Sequence, residues 1–289
     1  MSPRIASQSY GKSRVRLTKV TRHPDRHDLA ELAVDILLEG AFEPSYTRGD
    51  NTAVIATDTM KNTVYALAAS HPLDAPESFA AALADYFVTG KEQVTAATVE
   101  IEEAAWERIV DRSGSPHRHA FVAAGGGRRT CRVRQDQAAV VVEAGIAGLA
   151  VVKTTDSAFR DFHRDAFTTL ADTDDRIFGT VIEARWRYEP GPAGGLPAID
   201  FNAAYAVVRG QLVEVFAHHK SLAVQQTLYE MATAALAAAP TVIEIELEMP
   251  NQHRVPIDLT PFGLANENAI FVTTSEPYGL IRATIRRED

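Results

Sequence analysis

Asn-Thr-Ala-Val-Ile-Ala-Thr-Asp-Thr-Met-Lys-Asn-Thr, residues 51–63, joins an apolar run to small side chains that carry oxygen atoms. The apolar run predicts an extended segment, and the pattern after it predicts a helix that continues towards His71. Thr57, Asp58 or Thr59 fits the N-cap, because such side chains accept the unpaired N–H groups of a first helical turn. A helix start also favours an anion, so the stretch is either a simple cap or part of a binding site.

The composition is typical of a globular protein and excludes several classes of partner. The chain has 289 residues, of which 46% are hydrophobic and 23% charged, and this length suits one large or two medium domains. The net charge of −9 argues against nucleic acid as a partner, because phosphate binding needs a concentrated basic face. The longest apolar run, residues 138–152, is interrupted by Glu143 and is shorter than the roughly 20 residues of a membrane helix.

The ends of the chain and its cysteine content predict a cytoplasmic protein. The first residues lack the apolar core of a signal peptide, and the last three, Arg287-Glu288-Asp289, differ from the peroxisomal Ser-Lys-Leu signal. Cys131 is the single cysteine of the sequence, which excludes an internal disulfide and fits a reducing compartment.

The first half of the chain predicts strands, two helices and further strands. Residues 29–38 fit both a helix and a strand, so periodicity alone leaves this segment open. The glycines at 125–127 suggest a phosphate-binding loop, but no Lys-Ser or Lys-Thr follows them, and a hairpin turn is favoured. The other predicted elements are a strand over 15–21, a turn at 23–25, a loop through 43–45, helices from 57 to 71 and from 78 to 90, and strands over 94–101 and 130–135.

The second half repeats this order of elements at low sequence identity. Alternation of Ile, Leu and Met with Glu over residues 243–249 predicts a strand with one buried face and one wet face. Strand pairs that flank two helices, twice over, indicate an α+β fold with antiparallel sheets and helices on one face. The other predicted elements are extended runs over 138–142, 149–152 and 181–188, helices over 203–216 and 221–238, and a strand over 280–285.

Residues 1–137 and 138–289 are therefore predicted to form one domain each. A four-stranded sheet with two helices on one face still has exposed strand edges, and such edges promote aggregation unless they are paired. Closing several copies of the chain into a barrel would pair these edges, so we expect an obligate oligomer.

Three stretches together resemble the urate oxidase (uricase) family. They are Tyr-Gly-Lys at 10–12, Ala-Thr-Asp-x-x-Lys-Asn-Thr at 56–63 and Pro-Asn-x-His at 250–253, and the resemblance covers most of the chain. It implies two tandem tunnelling-fold (T-fold) domains whose sheets close into a barrel in a homotetramer, with active sites at subunit interfaces. It also implies that residues 29–38 form a strand that pairs with the first strand as a hairpin.

The resemblance implies a proton relay and an oxygen site. Lys12 and Thr57 would form a dyad that moves a proton between substrate and solvent, which suits a desolvated lysine and a hydroxyl that accepts and passes on protons. Asn251 would hold dioxygen or a water above the purine ring, and His253 would orient the relay. Taken alone, these residues are a solvated lysine, a helix cap, a turn asparagine and an exposed histidine.

The implied substrate site binds a flat, anionic purine. Phe159 offers a ring for stacking, and Arg176 offers a guanidinium fork for two acceptors. The backbone of Val224 and the amide of Gln225 would bind the opposite edge of the ring. Without the resemblance, Phe159 is a core residue, Arg176 balances its acidic neighbours and Gln225 is an ordinary helix residue. The full substrate-binding set that the resemblance implies is Thr57, Asp58, Phe159, Arg176, Val224, Gln225 and Asn251.

The predicted reaction is the oxidation of urate by O2 and water to 5-hydroxyisourate and hydrogen peroxide, without a metal or an organic cofactor. The alternatives are a T-fold enzyme acting on a pterin or purine, and an oligomeric purine-binding protein without oxidase activity. His117 and His119 suggest a metal pair, as do His218 and His219, but no third ligand follows at a matching short spacing, so we predict no metal site. Arg160-Asp161 departs from the fungal pattern beside Phe159 and bears on pocket entry and affinity.

Overall fold

The protein is described by a computed structural model that covers residues 3–274 and 276–288. No helix in this part of the chain combines the length and the apolar character needed to cross a membrane. The strands and helices, in chain order, are β1 (Tyr10–Arg22), β2 (His27–Gly40), α1 (Glu43–Arg48), α2 (Thr57–Ser70), α3 (Pro76–Val88), β3 (Val94–Glu103), β4 (Trp106–Val110), β5 (Pro116–Ala123), β6 (Arg128–Asp136), β7 (Val140–Lys153), β8 (Phe178–Tyr188), α4 (Phe201–His218), α5 (Val224–Ala238), β9 (Val242–Asn251), β10 (Arg254–Pro256), β11 (Phe271–Thr273) and β12 (Gly279–Arg286).

The chain divides into two compact units that are not simple halves of the sequence. The first unit is Met1–Gly145 with Trp186–Tyr205, and the second is Ile146–Arg185 with Ala206–Asp289. Strands β7 and β8 and helix α4 therefore each supply residues to both units. A domain boundary between residues 137 and 138 stays a prediction.

In the first unit, antiparallel strands run in the order β1-β2-β3-β6 and continue into β7. Alternate residues of β2, Val34, Ile36 and Leu38, are fully buried, whereas Leu37 between them is exposed. Helix α3 packs against β3 and β6 and buries Phe79, with Leu83 and Phe87 on the same face. The strand prediction for residues 29–38 and the hairpin with the first strand are confirmed.

In the second unit, the strand order is β7-β8-β9-β12, with α5 packed against β9 and β12. The alternation predicted for residues 243–249 is confirmed, because Ile245, Leu247 and Met249 are fully buried. The glutamates between them form ion pairs on the other face, such as Glu246 with Arg185 at 2.8 Å. The predicted α+β class with antiparallel sheets is therefore confirmed.

Three predictions about connections were wrong. Residues 43–45 begin a short helix, α1, in which Pro44 occupies the first turn, where its missing N–H costs nothing. The glycines at 125–127 lie in a bend between β5 and β6, but these strands belong to different sheets and do not form a hairpin. The extended runs predicted over 138–142 and 149–152 are not separate: one strand, β7, begins at Val140 and continues through the residues between them to Lys153.

Candidate functional site

The first group of predicted site residues lies in the first unit, where β1 and α2 begin. The hydroxyl of Tyr10 donates a hydrogen bond to the carbonyl oxygen of Ile55 at 3.1 Å and accepts one from the Ile55 N–H at 2.8 Å. These bonds hold the segment that precedes Thr57 against the strand that carries Lys12. The ring of Tyr10 packs edge-on against Phe42, with ring centroids 4.7 Å apart.

The backbone at Lys12 is fixed by a close approach to the neighbouring strand. Lys12 is half-buried and pairs with Ile36 of β2. A Cβ atom on Gly11 would lie 1.7 Å from the carbonyl oxygen of Ile36, so only glycine fits there. The pairing of β1 with β2 is irregular between Lys12 and Val15, and Arg14 adopts a φ of 57°.

The start of α2 differs from its predicted capping. Thr57 is the first helical residue and Ala56 the N-cap, without a side-chain capping bond. The predicted side-chain cap was wrong, because Thr57, Asp58 and Thr59 all lie inside the helix. The carboxylate of Asp58 instead binds Lys61 one turn later. The N–H groups of the first turn therefore keep the capacity to bind an anion.

Electrostatics connect Lys12 with this helix start. The hydrogen bond and charge of Lys61 lower the pKa of the exposed Asp58, and the charge of Lys12 adds to this effect. Lys12, Thr57 and Asp58 therefore meet at one end of α2. The structure brings these three predicted residues together.

The second group lies in the second unit, on two paired segments outside the main strands. Phe159 pairs with Thr173 through backbone hydrogen bonds of 2.8 and 2.9 Å, and the N–H of Arg176 donates to the carbonyl of Ser157 at 2.8 Å. The Nε of Arg176 also donates to the hydroxyl of Ser157 at 3.3 Å. These bonds bring the guanidinium carbon of Arg176 within 5.6 Å of the centre of the Phe159 ring.

The charge of Arg176 is not used by its acidic neighbours. Asp174 binds Arg160, and Asp175 accepts a hydrogen bond from Thr155 at 3.0 Å. Among the described residues no carboxylate forms an ion pair with Arg176, and burial lowers the pKa of its guanidinium. The interpretation of Arg176 as a balance for its neighbours is therefore wrong, and the group can receive an anion from outside the chain.

A cavity of about 240 Å³ brings three of the predicted residues together. Phe159, Arg176 and His253 all line it, beside apolar residues such as Leu170 and Phe271. A hydrogen bond of 3.0 Å from the N–H of residue 252 to the carbonyl of residue 179 holds the end of β9 beside the start of β8. A flat anion with an apolar face matches this combination of an aromatic ring and a guanidinium.

The start of α5 is held near the same segments by a buried pair of hydroxyl groups. Ser221 forms a bridge with Ser157, and the hydroxyl of Thr227 donates to that of Ser221 at 2.8 Å. Because Ser221 forms the bridge with Ser157 and accepts the hydrogen bond from Thr227, it is not part of α5. The helix begins at Val224, three residues after its predicted start. Val224 is buried and Gln225 is exposed on the first turn.

Three predicted residues of the second unit do not line the cavity. Asn251, half-buried, is the last residue of β9 and precedes the cavity residue His253 by two positions, whereas Val224 and Gln225 lie on the first turn of α5. Lys12, Thr57 and Asp58 belong to the first unit, whereas the other predicted site residues belong to the second.

The structure also shows contributors that sequence reasoning did not identify. Phe162 stacks on Phe159 with ring centroids 4.9 Å apart and an angle of 8° between the planes. Arg254 lines the cavity and lies across Gly179, where a Cβ would be 2.0 Å from its Nη1 atom. The Phe159–Phe162 stack joins residues three apart in a segment without regular structure, so periodicity does not reveal it, and the contact of Arg254 with Gly179 joins segments far apart in the chain. In the described residues no group of three His, Cys, Asp or Glu side chains is arranged to hold a metal ion.

Comparison with known proteins decides the family. A family model described as Uricase matches residues 8–134 and 142–282. The chain belongs to the uricase family. The uricase of Arthrobacter globiformis is 43% identical over 284 residues, which cover 98% of this chain and 90% of that protein. The uricase of Danio rerio is 36% identical over 285 residues, which cover 96% of this chain and 93% of that protein.

Solved uricase structures share the fold of this family member. The crystal structure of uricase from Arthrobacter globiformis has a TM-score of 0.93 at 42% identity and covers 100% of this chain and 96% of that one. The crystal structure of a uricase from Bacillus fastidious has a TM-score of 0.81 at 22% identity and covers 97% of this chain and 94% of that one. At this identity it shows a likeness in fold alone.

Proposed function

We infer that this protein is an oxidoreductase that oxidises urate with dioxygen. The observation that carries this inference is the match to the uricase family along nearly the whole chain. The cavity supports it, because Phe159 offers a stacking face and Arg176, which forms no ion pair among the described residues, offers a charge for an anionic purine.

In the proposed site, urate binds as an anion between Phe159, Arg176 and the amide of Gln225. The backbone of Val224 assists at the same edge. Thr57 and Asp58 approach from the start of α2, where the first-turn N–H groups favour negative charge. A planar guanidinium and a planar ring restrict both the tilt and the rotation of a flat substrate, which positions it for reaction.

The proposed reaction needs proton transfer and an electron-rich substrate. The bound urate loses a further proton to the Thr57-Lys12 relay, which His253 orients, and the resulting dianion transfers electrons to dioxygen held near Asn251. A hydroperoxide forms at C5 of the purine and leaves as hydrogen peroxide as water adds, giving 5-hydroxyisourate. Urate, O2 and water thus yield 5-hydroxyisourate and H2O2, and the protein contributes orientation and charge stabilisation without a cofactor.

The assembly that we propose is a cytoplasmic homotetramer of two-domain T-fold subunits. Lys12, Thr57 and Asp58 of one protomer would complete the site that holds Phe159 and Arg176 of its neighbour. Strand edges at β1 and β12 favour this arrangement, because unpaired edges promote aggregation.

A single assay separates the oxidase from its alternatives. Protein treated with a chelator and then dialysed is mixed with urate in air, and we expect the urate absorbance to fall while oxygen is consumed and peroxide appears. A pterin hydrolase or synthase would show none of these changes, and a purine-binding protein would bind urate without turnover. Urate that remains intact under these conditions contradicts the proposal.

Asn251→Ala tests the proposed oxygen site. Because Asn251 would hold dioxygen or a water above the purine ring, we expect kcat to fall by about 100-fold, as for loss of an oriented polar group in a transition state, and urate affinity to fall far less. Urate affinity is measured by titration without oxygen, and kcat by oxygen uptake. An unchanged turnover would exclude the assignment.

A further inference from the structure

We propose that Tyr10 is a positioning residue, whose hydroxyl sets the distance between Thr57 and Lys12. This inference rests on the proposed function, because it concerns the relay of the same site. Tyr10 does not touch the substrate in this proposal. It acts through the backbone of Ile55, two residues before Thr57.

The hydroxyl of Tyr10 binds both polar groups of one backbone residue. It donates to the Ile55 carbonyl at 3.1 Å and accepts from the Ile55 N–H at 2.8 Å. A neutral phenol can do both, whereas a phenolate cannot donate. Burial, the largest effect, raises the pKa of Tyr10, which favours the neutral form. The pair of bonds fixes the segment in two directions, because both the N–H and the carbonyl of Ile55 are held.

The ring of Tyr10 cannot move freely to follow a shift of this segment. It packs edge-on against the buried Phe42, with centroids 4.7 Å apart and an angle of 84° between the planes. The next residue, Gly11, lies so close to Ile36 that its backbone has no room towards β2. Tyr10 is thus held at both its ring and its backbone, and its hydroxyl is a fixed point.

Both members of the relay are two residues away from this pair of bonds. Lys12 follows Tyr10 by two positions on β1, and Thr57 follows Ile55 by two at the start of α2. The segment before α2 has no side-chain cap of its own to hold it, since Ala56 is the N-cap. The Tyr10 hydroxyl therefore ties the segment before α2 to the strand that carries Lys12, whereas the bonds of Tyr65 to Arg16 and of Lys19 to Ala68 join the two elements farther along α2.

Loss of the hydroxyl should affect proton transfer more than ring binding. The aromatic and guanidinium groups that bind the purine belong to the second unit and do not depend on Tyr10. A misplacement of reacting groups by about 1 Å costs up to about 100-fold in rate, so we expect Tyr10→Phe to lower kcat by about 10-fold or more. Urate affinity measured without oxygen should change far less than kcat, by under about 3-fold, because Phe159, Arg176 and Gln225 are unaltered and only the approach of Thr57 shifts.

Tyr46→Phe is a matched control. The Tyr46 hydroxyl also donates to a backbone carbonyl, that of Ser9 at 3.0 Å, next to Tyr10 in the chain. Its side chain is exposed and does not hold the segment before Thr57. We expect Tyr46→Phe to keep the kcat of the wild type, and each variant is checked for folding by its thermal midpoint.

A double-mutant cycle distinguishes positioning from a general loss of structure. In a Lys12→Met background the relay is already absent, so Tyr10→Phe should have little further effect on the residual rate. A purely structural effect would instead lower the rate by the same factor in both backgrounds, and that result overturns the proposal. If Tyr10→Phe does not fold, Phe42→Leu removes the ring that supports Tyr10 and should also lower kcat selectively; an unchanged kcat overturns the proposal.

The two inferences fail in different ways. If the wild type does not oxidise urate, the proposed function itself is wrong. If the wild type is active and Tyr10→Phe has the same kcat as Tyr46→Phe, the function stands and only the role of Tyr10 is rejected.

Discussion

At the scale of single residues, the site depends on contacts that the sequence does not display. Lys12 and Thr57 stand out only through the resemblance to the family, since any lysine or threonine fits those positions by pattern alone. The availability of Arg176 depends on Asp174 and Asp175 having other partners. Asp174, Asp175 and Arg176 are adjacent in the sequence, which predicts that the two carboxylates neutralise the arginine. In the structure they do not.

Gly11→Ala should destabilise the protein and reduce activity. The added Cβ would lie 1.7 Å from the carbonyl oxygen of Ile36, a backbone atom that cannot rotate away. The strands must separate at Lys12, and we expect a loss of about 2–3 kcal/mol in the free energy of unfolding, as for overpacking of a tight site. Denaturant unfolding measures this loss. Gly125→Ala, with open space at its Cβ, is the control and should change little.

Arg176→Gln should weaken urate binding, with Arg160→Gln as its control. Removing the half-buried guanidinium takes away the proposed charge-assisted pair of hydrogen bonds to urate, so we expect KM to rise by about 10-fold or more. Arg160 is exposed and already pairs with Asp174, so its loss should raise KM far less. Steady-state oxygen uptake gives the KM for urate of each variant. An equal rise in both variants would contradict the assignment and would make the Arg160-Asp161 departure a determinant of affinity.

At the scale of elements, the sequence predicts the long strands and helices and fails at their ends. Alternation and helical spacing identify β9 and α3, because one face of each is buried. Asp58 binds Lys61 within α2 and does not cap that helix, and the bend at 125–127 is decided by the sheet to which each neighbouring strand belongs. Local patterns do not contain this information.

Helix α3 is joined to the sheet by a buried ion pair that makes stability depend on pH. Arg129 of β6 binds Glu77 of α3 through two hydrogen bonds of 2.6 and 3.2 Å, and Glu103 lies opposite Arg129 on β3. Burial, more than any other cause, raises the pKa of both glutamates above the ordinary value of 4.5. Their stabilising contribution is present below that ordinary value and is lost as pH rises through the raised values.

Glu103→Gln should therefore stabilise the protein at alkaline pH. The amide keeps the shape of the side chain and removes a half-buried negative charge. At pH 8 the thermal midpoint of the variant should therefore lie above that of the wild type, and at pH 5 the two midpoints should differ less. Scans across this range measure the effect. Glu77→Gln is the contrast, because it breaks the pair with Arg129 and should cost about 3 kcal/mol. A lower midpoint for Glu103→Gln at pH 8 would refute this account.

At the scale of the whole molecule, the proposed sharing of sites between protomers predicts complementation. Lys12→Met and Arg176→Gln alter different units; the first alone should be nearly inactive, and the second should have low activity when urate is kept well below its raised KM. When the two variants are co-expressed, about a quarter of the shared sites in a randomly mixed symmetric oligomer would receive both intact groups, so activity should return. Oxygen uptake by the mixed oligomer measures the activity that returns. The control is a mixture of the two purified variants that have not exchanged subunits. If no activity returns in verified mixed oligomers, the sites are not shared.

The strands that supply both units limit how the gene can be divided. A polypeptide that stops at residue 137 would lack residues 186–205, which supply the buried Trp186, Tyr188 and Phe201 to the first unit and the Asn202 amide that binds Arg129 at 2.6 Å. Such a truncated product would expose the apolar surface that these side chains cover, and we expect it to precipitate during expression. Recombination of the gene at that point would likewise separate residues 186–205 from the unit that they complete, so we expect neither part to fold when it is made alone.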